Sequence, residues 1–169
     1  PAIISGDEVV TSDALAEVAQ LAETVGAPAY QQTVTWGAHF PSEHPAYMGS
    51  LTRNQAEVRE TLSNYDLIIV VGADPLRMSV WSKVEALPTD LPIVQIGLKD
   101  WEMGKNFPTE LAVRSDVRET LRALTPALVA LGGTELAAQA KVRLSAIADS
   151  NWSAKRSARL KTTLTTAEA

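Results

Sequence analysis

Short apolar runs alternate with amphipathic stretches along most of the chain. Ala2-Ile3-Ile4, halted by Ser5-Gly6-Asp7, predicts a buried strand. Residues 12–25 predict a helix, because Leu15, Val18, Ala19, Ala22 and Val25 share one face and Gly26 ends it. Residues 27–31 read as a second strand, with Pro28 near its start where the missing N–H costs nothing. Residues 33–50 lose all periodicity and hold Trp36, both histidines and two prolines. A long loop is expected there, with a short strand near Tyr47-Met48. A helix from Thr52 follows, with Thr52 and Gln55 placed for a capping box and Val58, Leu62 and Tyr65 turned inward.

Asp66-Leu67-Ile68-Ile69-Val70-Val71-Gly72 is the strongest strand signal. Its five consecutive apolar residues indicate burial on both faces, as in a central parallel strand. A looser helical stretch spans residues 76–86. Strands at 93–97 and 111–113 and a helix over 115–131 complete the body. Gly132-Gly133 breaks the chain before a further helix at 134–148, and the polar, threonine-rich segment after Trp152 reads as a partly disordered linker. This alternation predicts an α/β fold: an open, Rossmann-like parallel sheet of about six strands with helices on both faces.

The 169 residues suit one domain, which at this size buries roughly 70% of its unfolded surface without staples. No cysteine is present, so thiol nucleophiles, disulfides and cysteine-based zinc sites are excluded. A net charge of −5 disfavours nucleic acid and anionic membranes as partners. No apolar run reaches the length of a membrane span, and no signal peptide is evident, so a cytoplasmic location is expected. Residues 1–133 carry 9 basic and 17 acidic side chains, whereas 134–169 carry 6 and 3. The tail thus differs in kind from the body, and the start at Pro1 resembles a cut just before a domain's first strand.

Open parallel sheets bind ligands beyond the carboxyl ends of their strands. Three segments fall there. Ser5-Gly6-Asp7 lacks the G-x-G-x-x-G fingerprint and reads first as a tight turn. In residues 72–79, Gly72 permits close approach to a ligand and Arg77 offers a partner for phosphate or carboxylate. A plain surface arginine is the alternative. In residues 97–101, Asp100 suits sugar hydroxyls, or else caps a short helix. His39 and His44 have only Glu43 nearby, too little for a metal set. Neither a nucleophile elbow nor a P-loop occurs.

The long loop carries a resemblance. Phe40-Pro41-Ser42-Glu43-His44-Pro45-Ala46-Tyr47-Met48-Gly49 resembles the F-P-x-x-H-P-x-[YF]-x-G segment in the central domain of benzoylformate-decarboxylase-like enzymes. Residues 21–30 are similar to that family's L-A-E-x-x-x-A-P-V-[WY]. Residues 58–73 resemble the helix and central strand beyond it. Residues 96–102 are similar to I-x-x-D-P-x-E, with Trp101 where proline is usual. The ordered set covers residues 1–133.

The resemblance to this thiamine-diphosphate enzyme superfamily, which also holds acetolactate-synthase-like members, implies the Rossmann-like sheet of the DHS-like NAD/FAD-binding type. It also implies that residues 1–133 are a central domain of a three-domain parent, a homodimer or homotetramer. Residues 134–169 would be the helix and linker toward a diphosphate-binding domain, and a pyrimidine-binding domain would come first. Thiamine diphosphate and magnesium would bind between those outer domains, leaving this chain inactive alone. The parent would be a 2-oxo-acid decarboxylase or carboligase, classed as a lyase or transferase. Two departures matter. Ser79 stands where benzoylformate-decarboxylase-like members carry an active-site histidine, and serine cannot replace its acid–base role near neutral pH. Relatives that bind FAD use a glycine-rich stretch around the position of Gly49 and a G-x-R-F turn. Here Gly49-Ser50-Leu51-Thr52-Arg53 is poorer in glycine and the turn is missing, which disfavours FAD. Were FAD bound, Gly49, Gly72, Arg77 and Asp100 would be its contacts. An NAD-dependent enzyme on a related fold is the reading of another class. It needs a glycine-rich nucleotide loop and a catalytic histidine, and neither is evident.

Overall fold

The computed structural model describes residues 1–74, 76–78 and 82–167. In chain order the elements are β1 (Ala2–Ser5), α1 (Asp7–Thr11), α2 (Leu15–Val25), β2 (Ala29–Gln31), β3 (Tyr47–Ser50), α3 (Gln55–Leu62), β4 (Ile68–Val71), β5 (Ile93–Gly97), a 3₁₀ turn (Asp100–Glu102), β6 (Leu111–Arg114), α4 (Val117–Ala146) and α5 (Trp152–Ala167). The six strands form one sheet in the order β3-β2-β1-β4-β5-β6, and every pairing is parallel. The α/β expectation is met.

β1 sits in the middle, with Ile4 opposite both Tyr30 of β2 and Val70 of β4. Its side chains alternate between two cores, as strand geometry requires. Ile3 joins Val18, Leu21 and Val25 of α2 and Val117 and Leu121 of α4. Ala2 and Ile4 join Val58 and Leu62 of α3 with Ile68, Val70 and Ile93. Helices thus cover both faces, which explains why β1 and β4 read as continuous apolar runs.

Several local expectations are corrected. The helix expected over residues 12–25 starts later, at Leu15, and a separate short helix, α1, precedes it across Asp13, which takes a left-handed φ of 50°. α3 starts at Gln55 rather than Thr52. Its cap is Asn54, whose Oδ1 accepts from the N–H groups of Ala56 and Glu57 and whose Nδ2 donates to Glu57 at 2.9 Å. The described residues of the 76–86 stretch form bends rather than a helix. There Arg59 Nη1 donates to the carbonyls of Glu85 (3.1 Å) and Leu87 (2.6 Å), so a side chain takes carbonyls that a helix would use internally.

The break at Gly132-Gly133 is present. α4 has a non-helical residue at Gly133, and its second half folds back over α2. Gly26 ends α2 at φ 63°, and a Cβ there would collide with the Ala140 backbone, lying 2.7 Å from its carbonyl oxygen. Arg143 Nη1 donates to the Val25 carbonyl at 2.9 Å and closes the same joint.

The segment after Trp152 is the helix α5 rather than irregular chain. Asn151 Oδ1 accepts from Ala154 N at 2.9 Å, and its Nδ2 donates to the Pro45 carbonyl at 3.2 Å. Trp152 lies edge-on to Tyr47 with centroids 6.1 Å apart, and Arg156 pairs with Glu43 at 2.7 Å. Tertiary anchors therefore hold a helix whose own sequence is too polar to demand one.

The loop between β2 and β3 is pinned from inside. Phe40 is fully buried, stacked on Tyr47 with centroids 5.9 Å apart and meeting the His44 ring edge-on. His44 Nδ1 accepts from Ala46 N at 3.1 Å, which places its proton on Nε2, facing Glu23 at 3.0 Å. His39, 1% exposed, directs Nε2 at Asp7 from 2.9 Å, while its Nδ1 is buried without a partner. A proton on that Nδ1 would be an unpaired buried donor, so the neutral Nε2–H form fits the site.

Two outcomes follow for stability. Gly26→Ala adds left-handed strain and a collision with Ala140, so it is expected to cost about 2–4 kcal/mol of unfolding free energy in urea titration. An unchanged midpoint would contradict this joint. For His39, burial lowers the pKa from its ordinary value of 6.5, outweighing the opposing pull of Asp7. The unfolded state then binds this proton more readily. The associated stability is present above the ordinary imidazole value and is lost as pH falls through it. Unfolding free energy should decline from about pH 8 to about pH 5.5, and His39→Gln should flatten that decline. A variant profile parallel to the wild type would show that His39 is not its source.

Candidate functional site

The strand order reverses between β1 and β4. Their crossovers leave in opposite directions there and open a crevice at the carboxyl ends. Backbone bonds stitch its floor: Gly6 N–H to the Val71 carbonyl at 3.0 Å, Glu8 N–H to Gly72 at 3.0 Å and Gly72 N–H to Ile96 at 2.7 Å. The cavity is small, about 40 Å³, and opens to solvent. Asp7, Glu8, Gln32, Asp74, Arg77, Gln95, Lys99 and Glu102 supply its polar lining.

Glu8 is the central feature. It begins the first turn after β1, yet its side chain reaches across β4 to β5 and is only 7% exposed. Oε2 accepts from Leu98 N at 2.6 Å. The crossing needs two glycines. A Cβ on Gly72 (φ 59°) would meet Glu8 Cβ at 2.6 Å, and one on Gly97 would meet Glu8 Oε1 at 3.0 Å. The N–H beyond β5, a natural donor to a ligand anion, is thus already taken by a carboxylate of the chain itself.

The walls add more acceptors. Gln32 Nε2 donates to the Val34 carbonyl at 2.6 Å and to Asp7 Oδ1 at 3.1 Å. Both neighbours are acceptors, which fixes the orientation of the amide and leaves Oε1 buried and without a donor. Arg77 Nε pairs with Asp74 at 2.9 Å, and Thr33 Oγ1 donates to the Arg77 carbonyl at 3.1 Å. Among the lining side chains four carboxylates face two cations, so the crevice is acidic.

The predicted site residues scatter. Gly72 and Arg77 belong to the crevice. Asp100 does not line it. It opens the 3₁₀ turn without acting as its cap and pairs with Arg114 at 3.4 Å. Gly49 lies on β3 against Trp152, where a Cβ would sit 3.1 Å from the indole. Ser79 lies outside the described residues. Glu8 and Gln32 escaped the sequence reading. Their signal was position alone: Glu8 follows closely on β1, which borders the reversal, and Gln32 on β2 beside it.

Metal-binding potential is low among the described residues. No three His, Asp or Glu side chains are grouped there for an ion, and no helix there is long and apolar enough to cross a membrane.

Comparison with known proteins points one way. Residues 1–124 match the family model described as thiamine pyrophosphate enzyme, central domain. The chain is 29% identical over 124 residues to a benzoylformate decarboxylase of Pseudomonas aeruginosa, covering 73% of this chain and 23% of the relative. It is 28% identical over 134 residues to a protein of Methanocaldococcus jannaschii named as a probable acetolactate synthase large subunit, covering 78% and 22%. Among solved structures it superposes on the thiamine diphosphate-dependent 4-hydroxybenzoylformate decarboxylase of Rhodococcus jostii RHA1 with a TM-score of 0.70 and 28% identity, over 76% of this chain and 24% of that one. The chain therefore spans less than a quarter of the length of these relatives, and it belongs to the family of thiamine pyrophosphate enzyme central domains.

Proposed function

We propose that this chain is the structural, active-site-lining domain of a thiamine-diphosphate- and magnesium-dependent 2-oxo-acid decarboxylase or carboligase, and that it performs no chemistry alone. The observation that carries the reading is the family match over residues 1–124, in a chain spanning less than a quarter of its relatives. Residues 1–133 would form the domain proper, and 134–169 the connector to a diphosphate-binding domain. A pyrimidine-binding domain of the same parent would be the other partner. The assembly would be a homodimer or homotetramer.

The residues described do not fit the cofactor of such a parent. A diphosphate–magnesium group needs oxygen ligands for the metal and donors for the phosphates. The crevice instead presents a surplus of carboxylates, and its Leu98 N–H is already bonded. No step of a reaction is assigned to this chain on that account. The same features disfavour FAD, with its pyrophosphate, at the carboxyl ends of the strands. Gly49 and Asp100, two of its four expected contacts, lie away from the crevice.

Melting curves with thiamine diphosphate plus magnesium, and with FAD, test this directly. Neither is expected to shift the midpoint, whereas a ligand at 100 times its Kd would stabilise by about 2.7 kcal/mol. The chain should also release no carbon dioxide from benzoylformate or pyruvate with cofactor and magnesium present. Turnover by the chain alone, or a flavin retained through purification, would overturn the reading.

A further inference from the structure

Glu8 has spare acceptor capacity: it is 7% exposed, Oε2 is bonded by Leu98 N, and Oε1 is not closed off from solvent and opens on the crevice. It has one hydrogen bond, from Leu98 N, and no ion pair joins it to any described residue. Gln32 Oε1, in the same crevice, is buried with no donor. Asp74 and Glu102 each spend an oxygen on a cation of the chain, Arg77 and Lys105, and add further negative charge to the walls.

Glu8 and Gln32 each keep an acceptor oxygen free for a donor, and the negative lining favours a cationic one. A metal ion fits poorly, because no three ligating side chains are grouped among the described residues. A phosphate fits worse, because the lining has the wrong sign. Lys99 is the cation of the chain nearest in kind. It lines the mouth, is exposed, and makes no ion pair with Glu8. A planar or tetrahedral nitrogen cation with several N–H groups would meet both needs, donating to the Glu8 carboxylate and to Gln32 Oε1.

We propose that the crevice at the β1–β4 reversal is a binding site for an organic cation, a guanidinium or ammonium group, that pairs with Glu8 and donates to Gln32. The proposal is separate from the proposed function and holds whichever reaction a parent performs. The group can come from a free amine or from an arginine or lysine side chain of another polypeptide segment, and the two sources bind by the same chemistry.

Amide NMR of this chain at low ionic strength tests it, with agmatine, a blocked Gly-Arg-Gly peptide and AMP as probes. At least one cation probe should move the amides of Gly72, Gly97 and Leu98 saturably, and AMP should not. Tighter binding of agmatine than of the peptide marks a free amine, and the reverse marks a side chain. Glu8→Gln should weaken the bound cation about tenfold or more, the usual size for loss of a charged hydrogen-bond partner. Without ligand it should melt no lower than the wild type, since glutamine keeps an oxygen to accept from Leu98 N. Glu102→Gln, on the rim, should weaken binding by a smaller factor. The proposal falls if neither cation saturates, if AMP moves these amides instead, if Glu8→Gln binds as well as the wild type, or if Glu8→Gln unfolds or melts lower on its own. The last result would make the carboxylate a structural acceptor for Leu98.

Discussion

Burial of β1 on both faces is the constraint on which the rest depends. Its four residues are all fully buried and pair in parallel with β2 on one side and β4 on the other. A strand so placed must receive crossovers from both directions, and right-handed crossovers then put helices on opposite faces. The reversal of strand order, and the crevice it opens, are consequences of that one placement. So is the close approach of residues far apart in sequence: Glu8 and Leu98 meet only because β4 is the single strand between β1 and β5.

The irregular loop shows how a domain holds a long segment without regular structure. Each of its anchors is a side chain already in service elsewhere. Tyr47 belongs to β3, stacks on Phe40 and donates its hydroxyl to Gln31 of β2 at 3.0 Å. Gln31 Oε1 also accepts from His39 N at 3.4 Å. Asp7, at the start of α1, holds both His39 and Gln32. The loop and the crevice wall thus share one polar network, and such networks tie the order of one part to the order of the other. The motif that carried the family resemblance is, in physical terms, mostly this packing: Phe40 and His44 are core and anchor.

All six strands were legible in the sequence, and β1 and β4 most clearly, because burial on two faces writes itself as an apolar run, whereas β6 is largely exposed. The Gly132-Gly133 break was legible for a similar reason, since the conformation at Gly133 is one that few other residues adopt. What escaped depends on partners distant in the chain. The bends among the described residues of the 76–86 stretch follow from Arg59, and the helix after Trp152 follows from Pro45, Tyr47 and Glu43. Asn54 was passed over in favour of Thr52 because both are capping residues and sequence alone ranks them closely. The candidate site was half legible. Glycines at strand ends signal close approach, so Gly72 was found, but what approaches it is Glu8, whose role is set by the sheet and not by its neighbours in sequence.

The contact between Gly26 and Ala140 reaches beyond local packing. It fastens the second half of α4, beyond the residues that match the family, onto the helix that packs against the central strand. Space at one position is defined by the backbone at the other, so the effects of changing each do not add. Two residues more than a hundred apart in the chain therefore behave as a single heritable unit. A side chain gained at 26 is tolerated only with a displaced backbone at 140, so sequence change in the tail is limited by what the matched domain leaves room for at that joint.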